Sequence, residues 1–183
     1  MNVAVCEYGA GNTRSVAIAF GRLGADARTT SDPGDVAAAD LAVLPGVGSA
    51  ASAMAGLRGR GLDVALRERV AAGRATLGIC LGLQLALEES EEDDGVACLG
   101  ILPGRAIRLR TARVPRIGWA PVDPGAEAFY FAHSYAAETP VATAYSEGIV
   151  ASAEEGSFLG VQFHPEKSGA AGARFLARCL SRV

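Results

Sequence analysis

Residues 76–85 read Thr-Leu-Gly-Ile-Cys-Leu-Gly-Leu-Gln-Leu, a short apolar run that closes on Cys80, with Gly78 and Gly82 two residues to either side. A buried strand over Thr76 to Ile79 that meets a helix at a cysteine has the arrangement of a nucleophile elbow, with sulfur in place of the usual serine oxygen. Such a turn holds its central residue in a strained conformation. Neighbours without side chains relieve the crowding, and the nucleophile projects from the carboxyl edge of the sheet. A cysteine at a helix N-terminus also feels the positive end of the helix dipole, which favours the thiolate. The backbone N–H of Leu81 is then aimed at a developing oxyanion.

Working toward the N-terminus, Leu41 to Leu44 is a second apolar strand and runs into Pro45, Gly46, Val47 and Gly48. Between it and Thr76 lie an Ala-rich segment and Leu62, Ala65, Leu66 and Val70 at helical spacing. The chain opens with a strand over Val3 to Cys6, the turn-forming Tyr8, Gly9, Ala10, Gly11 and Asn12, and then Val16, Ala19, Phe20 and Leu23 on one helical face. Asn12 is placed as N-cap and Gly24 as C-cap of that helix, with another strand over Ala25 to Thr30. Strands alternating with helices predict a parallel, doubly wound α/β sheet. From Gly100 onward the pattern turns β-rich, with antiparallel or mixed strands over Ala106 to Leu109, Ile117 to Val122, Phe129 to His133, Ile149 to Ala153 and Phe158 to Gln162. Phe175, Leu176, Cys179, Leu180 and Val183 then mark the apolar face of a closing helix. Residues 1–183 are read as a single domain.

Half the 183 residues are hydrophobic and a fifth are charged, a globular composition. A formal charge of −3 with scattered Lys and Arg offers no basic stripe, which argues against nucleic-acid binding. The stretch Val36 to Leu57 is mostly Ala, Gly and Ser and is broken by Asp40 and Pro45, so it is not a membrane span. The start MNVAVCEYGAGN has no basic leader or long apolar core, and the protein is expected to be cytoplasmic and unprocessed. Cys6, Cys80, Cys98 and Cys179 lie far apart without CxxC spacing, so neither a metal site nor a redox motif is expected. Cys6, Cys98 and Cys179 read as small buried hydrophobes. The acidic run Glu88, Glu89, Ser90, Glu91, Glu92, Asp93, Asp94 reads as a solvated loop.

A thiol nucleophile needs a base, and the chain has two histidines, His133 and His164. His164 sits in Gly160-Val-Gln-Phe-His-Pro-Glu166 at the mouth of a strand. Pro165 biases His164 toward an extended backbone, where Glu166, two residues on, projects to the same side and can orient the ring. That is the logic of a Cys80, His164, Glu166 triad. His133 is the rival base. The Pro45 to Gly48 loop, whose glycines let backbone N–H groups approach an anion, would complete an oxyanion hole with Leu81.

Read together, these motifs resemble the class I, triad-type glutamine amidotransferases, and among them the glutaminase subunits of imidazole glycerol phosphate synthases. The resemblance is carried by YGAGN at Tyr8 to Asn12, LPGVG at Leu44 to Gly48, GICLGLQL at Gly78 to Leu85, GW at Gly118 and Trp119, YFAHSY at Tyr130 to Tyr135 and GVQFHPEKS at Gly160 to Ser168. It implies a flavodoxin-like domain with a mixed, mostly parallel central sheet flanked by helices. It implies that L-glutamine is hydrolysed without metal or cofactor, and that ammonia is channelled to a (β/α)8 barrel cyclase in a heterodimer of histidine biosynthesis. It assigns Val47, Gly48 and Leu81 to the oxyanion region, Gly46, Gln84, Glu92, Ser134 and Tyr135 to glutamine, and Tyr130 and Trp119 to the face toward the cyclase. His133 falls in a substrate and interface loop with a supporting role.

The family pattern carries a His and an Asn around GW where this chain has Arg116 and Ala120, and the resemblance puts that region at the cyclase face. The competing readings are a glutaminase serving another synthase, a non-catalytic regulatory scaffold of the same fold, and a monomeric cysteine hydrolase. YGAGN and HSY favour the imidazole glycerol phosphate branch over the first, and the intact triad argues against the second.

Overall fold

A computed structural model describes residues 1–9 and 12–183; Ala10 and Gly11 of the first turn lie outside the described residues. The elements follow in order as β1 (Asn2–Cys6), α1 (Thr13–Gly21), β2 (Asp26–Thr30), α2 (Pro33–Ala38), β3 (Leu41–Leu44), α3 (Ala50–Gly59), α4 (Leu62–Ala71), β4 (Thr76–Ile79) and α5 (Leu81–Ala86). The β-rich half then comprises β5 (Glu89–Ser90), β6 (Val96–Ala97), β7 (Arg105–Arg108), β8 (Arg116–Val122), β9 (Glu127–His133), β10 (Tyr135–Glu138), β11 (Ala142–Ser146), β12 (Ile149–Glu155) and β13 (Phe158–Val161), and the chain closes on α6 (Gly169–Leu180).

The main sheet has seven strands in the order β11, β12, β13, β4, β3, β1, β2. From β13 to β2 every neighbouring pair is parallel, while β12 and β11 are added antiparallel. The fold is therefore α/β with a mixed, mostly parallel sheet. Its central strands are apolar throughout because both faces are covered. In β1, Val3 and Val5 join the cluster containing Val16 and Phe20 of α1 and Leu176 and Cys179 of α6. Ala4 and Cys6, pointing the other way, join Val36 of α2, Met54 and Leu57 of α3 and Leu62 and Leu66 of α4. A hairpin, β8 paired with β9, and a small sheet in the order β10, β7, β5, β6 build out the carboxyl-edge region.

Several local expectations change. Asn12 stands at the N-cap position of α1, but its side chain makes no capping hydrogen bond. Gly24 is left-handed, with φ +85°, but α1 has already ended at Gly21, so Gly24 shapes the following turn rather than the cap. Helix α2 has no expected counterpart; it is too short for periodicity and is instead set by Asp32, whose carboxylate accepts from the Gly34 N–H at 2.7 Å, and by Pro33 in its first turn. The short strands β5, β6, β10 and β11 are also unforeseen. Val183 lies beyond α6 and is exposed, so the buried residues of that helix are Gly172, Leu176 and Cys179. Among the described residues, no helix is long and apolar enough to cross a membrane.

One buried cation locks the amino edge. Arg69 of α4 is 2% exposed and donates to the carbonyls of Val36, Ala37, Asp40 and Ala75 at 2.8–3.2 Å. Burial pulls its pKa down to about 10. The last turn of α2 and the entries to β3 and β4 are thereby held by one planar fork. Arg69→Met keeps the stem but strands those carbonyls, and it is expected to lower unfolding free energy by about 3 kcal/mol in urea titrations.

Candidate active site

Strands β1, β3, β4 and β13 run parallel, so their carboxyl ends open on one edge of the sheet, where α/β proteins place ligands. The segments leaving those ends begin at Glu7, Pro45, Cys80 and Gln162, which gathers the sequence motifs in space. Because β4 lies between β3 and β13, Cys80 emerges between the Pro45 loop and the segment bearing His164.

Cys80 has φ 55° and ψ −107°, a strained conformation for a residue with a Cβ. Its N–H is anchored to the Val161 carbonyl at 2.7 Å, and its carbonyl accepts from Leu83 at 3.1 Å. The two glycines serve close packing. A Cβ on Gly82 would lie 1.9 Å from the Leu44 carbonyl oxygen, and one on Gly78 would lie 2.7 Å from the Phe158 ring. Helix α5 can thus rest directly on β3 and β4 with Leu81 as its first residue, whose N–H has no carbonyl a turn earlier in the helix.

His164 has an extended backbone, φ −101° and ψ 92°. The extended stretch stops there: Pro165 to Lys167 form a 3-10 turn, and it is this turn that swings Glu166 back to the ring. Nδ1–H of His164 donates to Oε1 of Glu166 at 2.9 Å, with both side chains at most 3% exposed. Cys80 lies close enough to the ring to act on its charge. Burial opposes charge on this imidazole, but the hydrogen bonds and negative charge of Cys80 and Glu166 outweigh it and push its pKa up to about 9. The backbone is clamped as well, since the His164 N–H donates to the Tyr130 carbonyl at 2.8 Å. The Ser168 hydroxyl donates to the His164 carbonyl at 2.7 Å while accepting from the Tyr130 N–H at 2.9 Å.

His133 is different in kind. Its Nδ1–H donates to the Tyr135 carbonyl at 2.8 Å, and burial, reinforced by the charges of Arg116 and His164, pulls its pKa down to about 4. It is a neutral imidazole near neutral pH, and it has no carboxylate partner among the described residues.

A pocket of about 310 Å³ is lined by Gly46, Val47, Gly48, Cys80, Leu81, Gln84, Glu92, Ser134 and Tyr135, with His133, Pro115, Ile117 and Ala132 completing the wall. That volume is at the small end of ligand sites and suits a single amino acid. A larger depression of about 430 Å³ lies at the amino edge around Thr76, Ser157 and Cys179. It contains neither histidine, whereas Cys80 and His133 both line the smaller pocket and His164 stands behind Cys80, outside the lining. The acidic run is not a free loop. Glu92 and Asp93 accept from the Ala50 and Ala51 N–H groups at 2.8 and 3.1 Å, capping α3, and burial raises the Glu92 pKa.

Trp119 and Tyr130 pair across the β8–β9 hairpin, edge to face at 6.2 Å, on its outer surface with the exposed Ile117. Arg116 and Ala120 face inward instead. Arg116 lies 4.2 Å over the Phe131 ring and donates to Ser146 and Glu147, and Ala120 is buried in the core, so neither belongs to the outer face on which the resemblance placed them. Strand alternation is the reason.

Two residues were quoted within motifs without being given a part. Tyr8 is buried and its hydroxyl donates to the Pro45 carbonyl, bracing the loop that carries Gly46 to Gly48. Gln162 is wholly buried, and its Nε2 donates to Sγ of Cys80 at 3.6 Å. An amide inside an apolar run is itself a signal, since a buried polar group must find partners.

The family described as glutamine amidotransferase class-I matches residues 4–183. The chain is 46% identical over 186 aligned positions to the imidazole glycerol phosphate synthase subunit HisH of Methanothermobacter thermautotrophicus, covering 93% of each chain. It is 40% identical to the protein of the same name from Mycolicibacterium paratuberculosis, covering 100% of this chain and 98% of that one. Among solved structures, a glutamine amidotransferase superposes with a TM-score of 0.82 at 20% identity, over 99% of both chains. A chain of PurLQS from Thermotoga maritima gives 0.67 at 17%, over 99% of this chain and 97% of that one. Those two likenesses concern the fold.

The histidines make stability depend on pH in opposite senses. His133, depressed from 6.5 to about 4, contributes stability above pH 6.5 that is lost as pH falls through about 4. His164, raised from 6.5 to about 9, contributes stability below pH 6.5 that is lost as pH rises through about 9. Urea unfolding across pH 4–9 should therefore show declining stability on both sides of about pH 6.5. His133→Asn is expected to remove up to about 3 kcal/mol of the acid-side decline.

Proposed function

The chain belongs to the glutamine amidotransferase class-I family, and on that footing we propose that it is the glutaminase subunit of an imidazole glycerol phosphate synthase, hydrolysing L-glutamine to L-glutamate and ammonia at Cys80. The observation that carries the reading is the buried His164–Glu166 hydrogen bond beside Cys80, whose side chain lines an amino-acid-sized pocket. The names of the relatives, over nearly their whole length, support the pathway. Residues 4–183 match the family, and we take 1–183 as one amidotransferase domain working in the cytoplasm.

In this mechanism His164 holds the proton taken from Cys80, and the thiolate attacks the side-chain amide carbon of glutamine. The carbonyl oxygen becomes an oxyanion facing the N–H groups of Leu81 and the Val47–Gly48 loop. That attack forms the carbon–sulfur bond; collapse re-forms the carbonyl as a thioester and breaks the carbon–nitrogen bond, and His164 gives its proton to the departing ammonia. His164 then draws a proton from water as the hydroxide adds to the thioester, and release of glutamate returns the thiol. Glu166 keeps the ring in the tautomer that presents Nε2 to sulfur and offsets the imidazolium charge. The carboxylate of Glu92 suits the substrate's α-ammonium, while Gly46, Gln84, Ser134 and Tyr135 shape the remaining wall. Side chains and water complete the chemistry.

Ammonia made here has value only if it reaches a second reaction before water protonates it. The exposed Ile117 and Trp119, with the half-buried Tyr130, form the apolar face beside the pocket that we assign to a (β/α)8 barrel cyclase partner in a heterodimer. There, ammonia would complete imidazole glycerol phosphate and release aminoimidazole carboxamide ribotide.

Co-purification with a candidate cyclase, followed by glutamate release with and without that partner's nucleotide ligand, tests the assignment; no stimulation would point to another synthase. Cys80→Ala should lose glutamine hydrolysis by at least about 10³-fold while the complex still uses added ammonia. His164→Ala should match that loss and His133→Ala should not; near-normal turnover without His164 would defeat the choice of base.

A further inference from the structure

Gln162 is the first residue after β13 and is 0% exposed, so each polar atom of its amide has to be accounted for. The accounting starts at Tyr135, whose backbone carbonyl can only accept. It lies 2.7 Å from one end of the Gln84 amide, which fixes that end as Nε2. The same nitrogen gives its second hydrogen to Oε1 of Gln162 at 3.1 Å. Gln162 cannot then be reversed, because its own NH2 would face another NH2. Its Nε2 is consequently turned to the Cys80 sulfur, at 3.6 Å.

We propose that Gln162 is a catalytic residue of this site, donating Nε2–H to the Cys80 thiolate as a second donor beside the His164 ring, with Gln84 setting its direction. The proposal rests on reading Cys80 as the nucleophile. A thiolate accepts a hydrogen bond far better than a thiol does, so a donor that cannot turn away favours the ionised form. The same donor stabilises the sulfur when it leaves the thioester. It also connects the nucleophile to the pocket. Gln84 lines the pocket and has both amide hydrogens committed inward, so the atom it offers a substrate is Oε1. A substrate N–H bound there is two amides away from the sulfur, along a chain whose donors all run in the same sense.

Alkylation by iodoacetamide across pH 5–9, followed by intact mass, reads the thiolate directly. Cys6, Cys98 and Cys179 are buried, with pKa values pushed by burial to about 12, 11 and 12, so they stay silent, and Cys80→Ala supplies the blank. Gln162→Met keeps side-chain length and removes the donor. Its alkylation profile should move about one pH unit upward, about tenfold slower at the acid end, with the same alkaline plateau. Superimposable profiles in the folded variant would overturn the proposal.

Should Gln162→Met fail to fold, the unsubstituted chain carries the test. The side-chain amide resonances of Gln162 should move through the midpoint of the alkylation profile and stay fixed in Cys80→Ala; resonances indifferent to that midpoint would overturn it. Glutamate release, measured on the same samples with the cyclase present, separates the two readings. Release with superimposable profiles defeats the role of Gln162 alone, whereas a Gln162-dependent profile without release defeats the glutaminase assignment and leaves the donor standing.

Discussion

The site depends on how closely α5 approaches the sheet. With no Cβ on Gly82, the helix backbone sits against the Leu44 carbonyl, a place where a methyl group would lie 1.9 Å from oxygen. That contact fixes the distance between the start of α5 and the end of β3. It therefore fixes where Leu81's N–H stands relative to the loop of Gly46 to Gly48, where a Cβ on Gly46 would itself meet the Leu81 Cβ at 2.6 Å. The price is the left-handed backbone of Cys80, a strain of about 1–3 kcal/mol that the surrounding strands must hold. Val161 does part of the holding, because its carbonyl takes the Cys80 N–H. The strand that leads to Gln162 and His164 is thus the strand that anchors Cys80.

The two imidazoles of the chain, distant from this turn in sequence, are driven in opposite directions by what they touch. Both are buried, so desolvation disfavours charge in each. His164 has a carboxylate on Nδ1 and Cys80 nearby, and together they overcome that cost. His133 has a neutral carbonyl on one nitrogen and feels the Arg116 guanidinium nearby, which adds to it. Position in the chain does not separate the residues, for His133 ends β9 and His164 follows β13 by three residues. The partner on Nδ1 does. A group meant to store a proton beside a thiolate needs the first environment, and a group meant to shape a wall without charge suits the second.

How far the sequence discloses this follows from what kind of signal each feature leaves. The parallel core was legible because strands buried on both faces are apolar without interruption: Leu41–Leu44 and Thr76–Ile79 have the limits the pattern predicts. The meeting of Cys80 with His164 and Glu166 was legible because each stands where an apolar run stops, and the ends of parallel strands share one edge. What escaped were features carried by single hydrogen bonds. Helix α2 depends on Asp32 more than on periodicity, and β5 and β6 are two residues each. The acidic run reads as solvent-facing by charge, yet Glu92 and Asp93 cap a helix 42 residues earlier in the chain, a pairing that no local pattern encodes. Arg116 escaped for the opposite reason: a strand alternates its faces, so two substitutions around an exposed tryptophan turn into the core.

The hairpin resolves what such an inward pair can do. Its outer surface presents Trp119 and Tyr130 to whatever docks there, and its inner surface stacks Arg116 on Phe131, next to His133. Tyr130 belongs to both sides, since its ring is on the outer face while its backbone binds His164 directly and through Ser168. These bonds tie the hairpin to His164, and the 3-10 turn behind them is pressed against Gly172 of α6, where even a methyl group would lie 1.9 Å from the Pro165 carbonyl. The exposed Trp119, the half-buried Tyr130 paired with it and the buried imidazole are thereby joined through one hairpin.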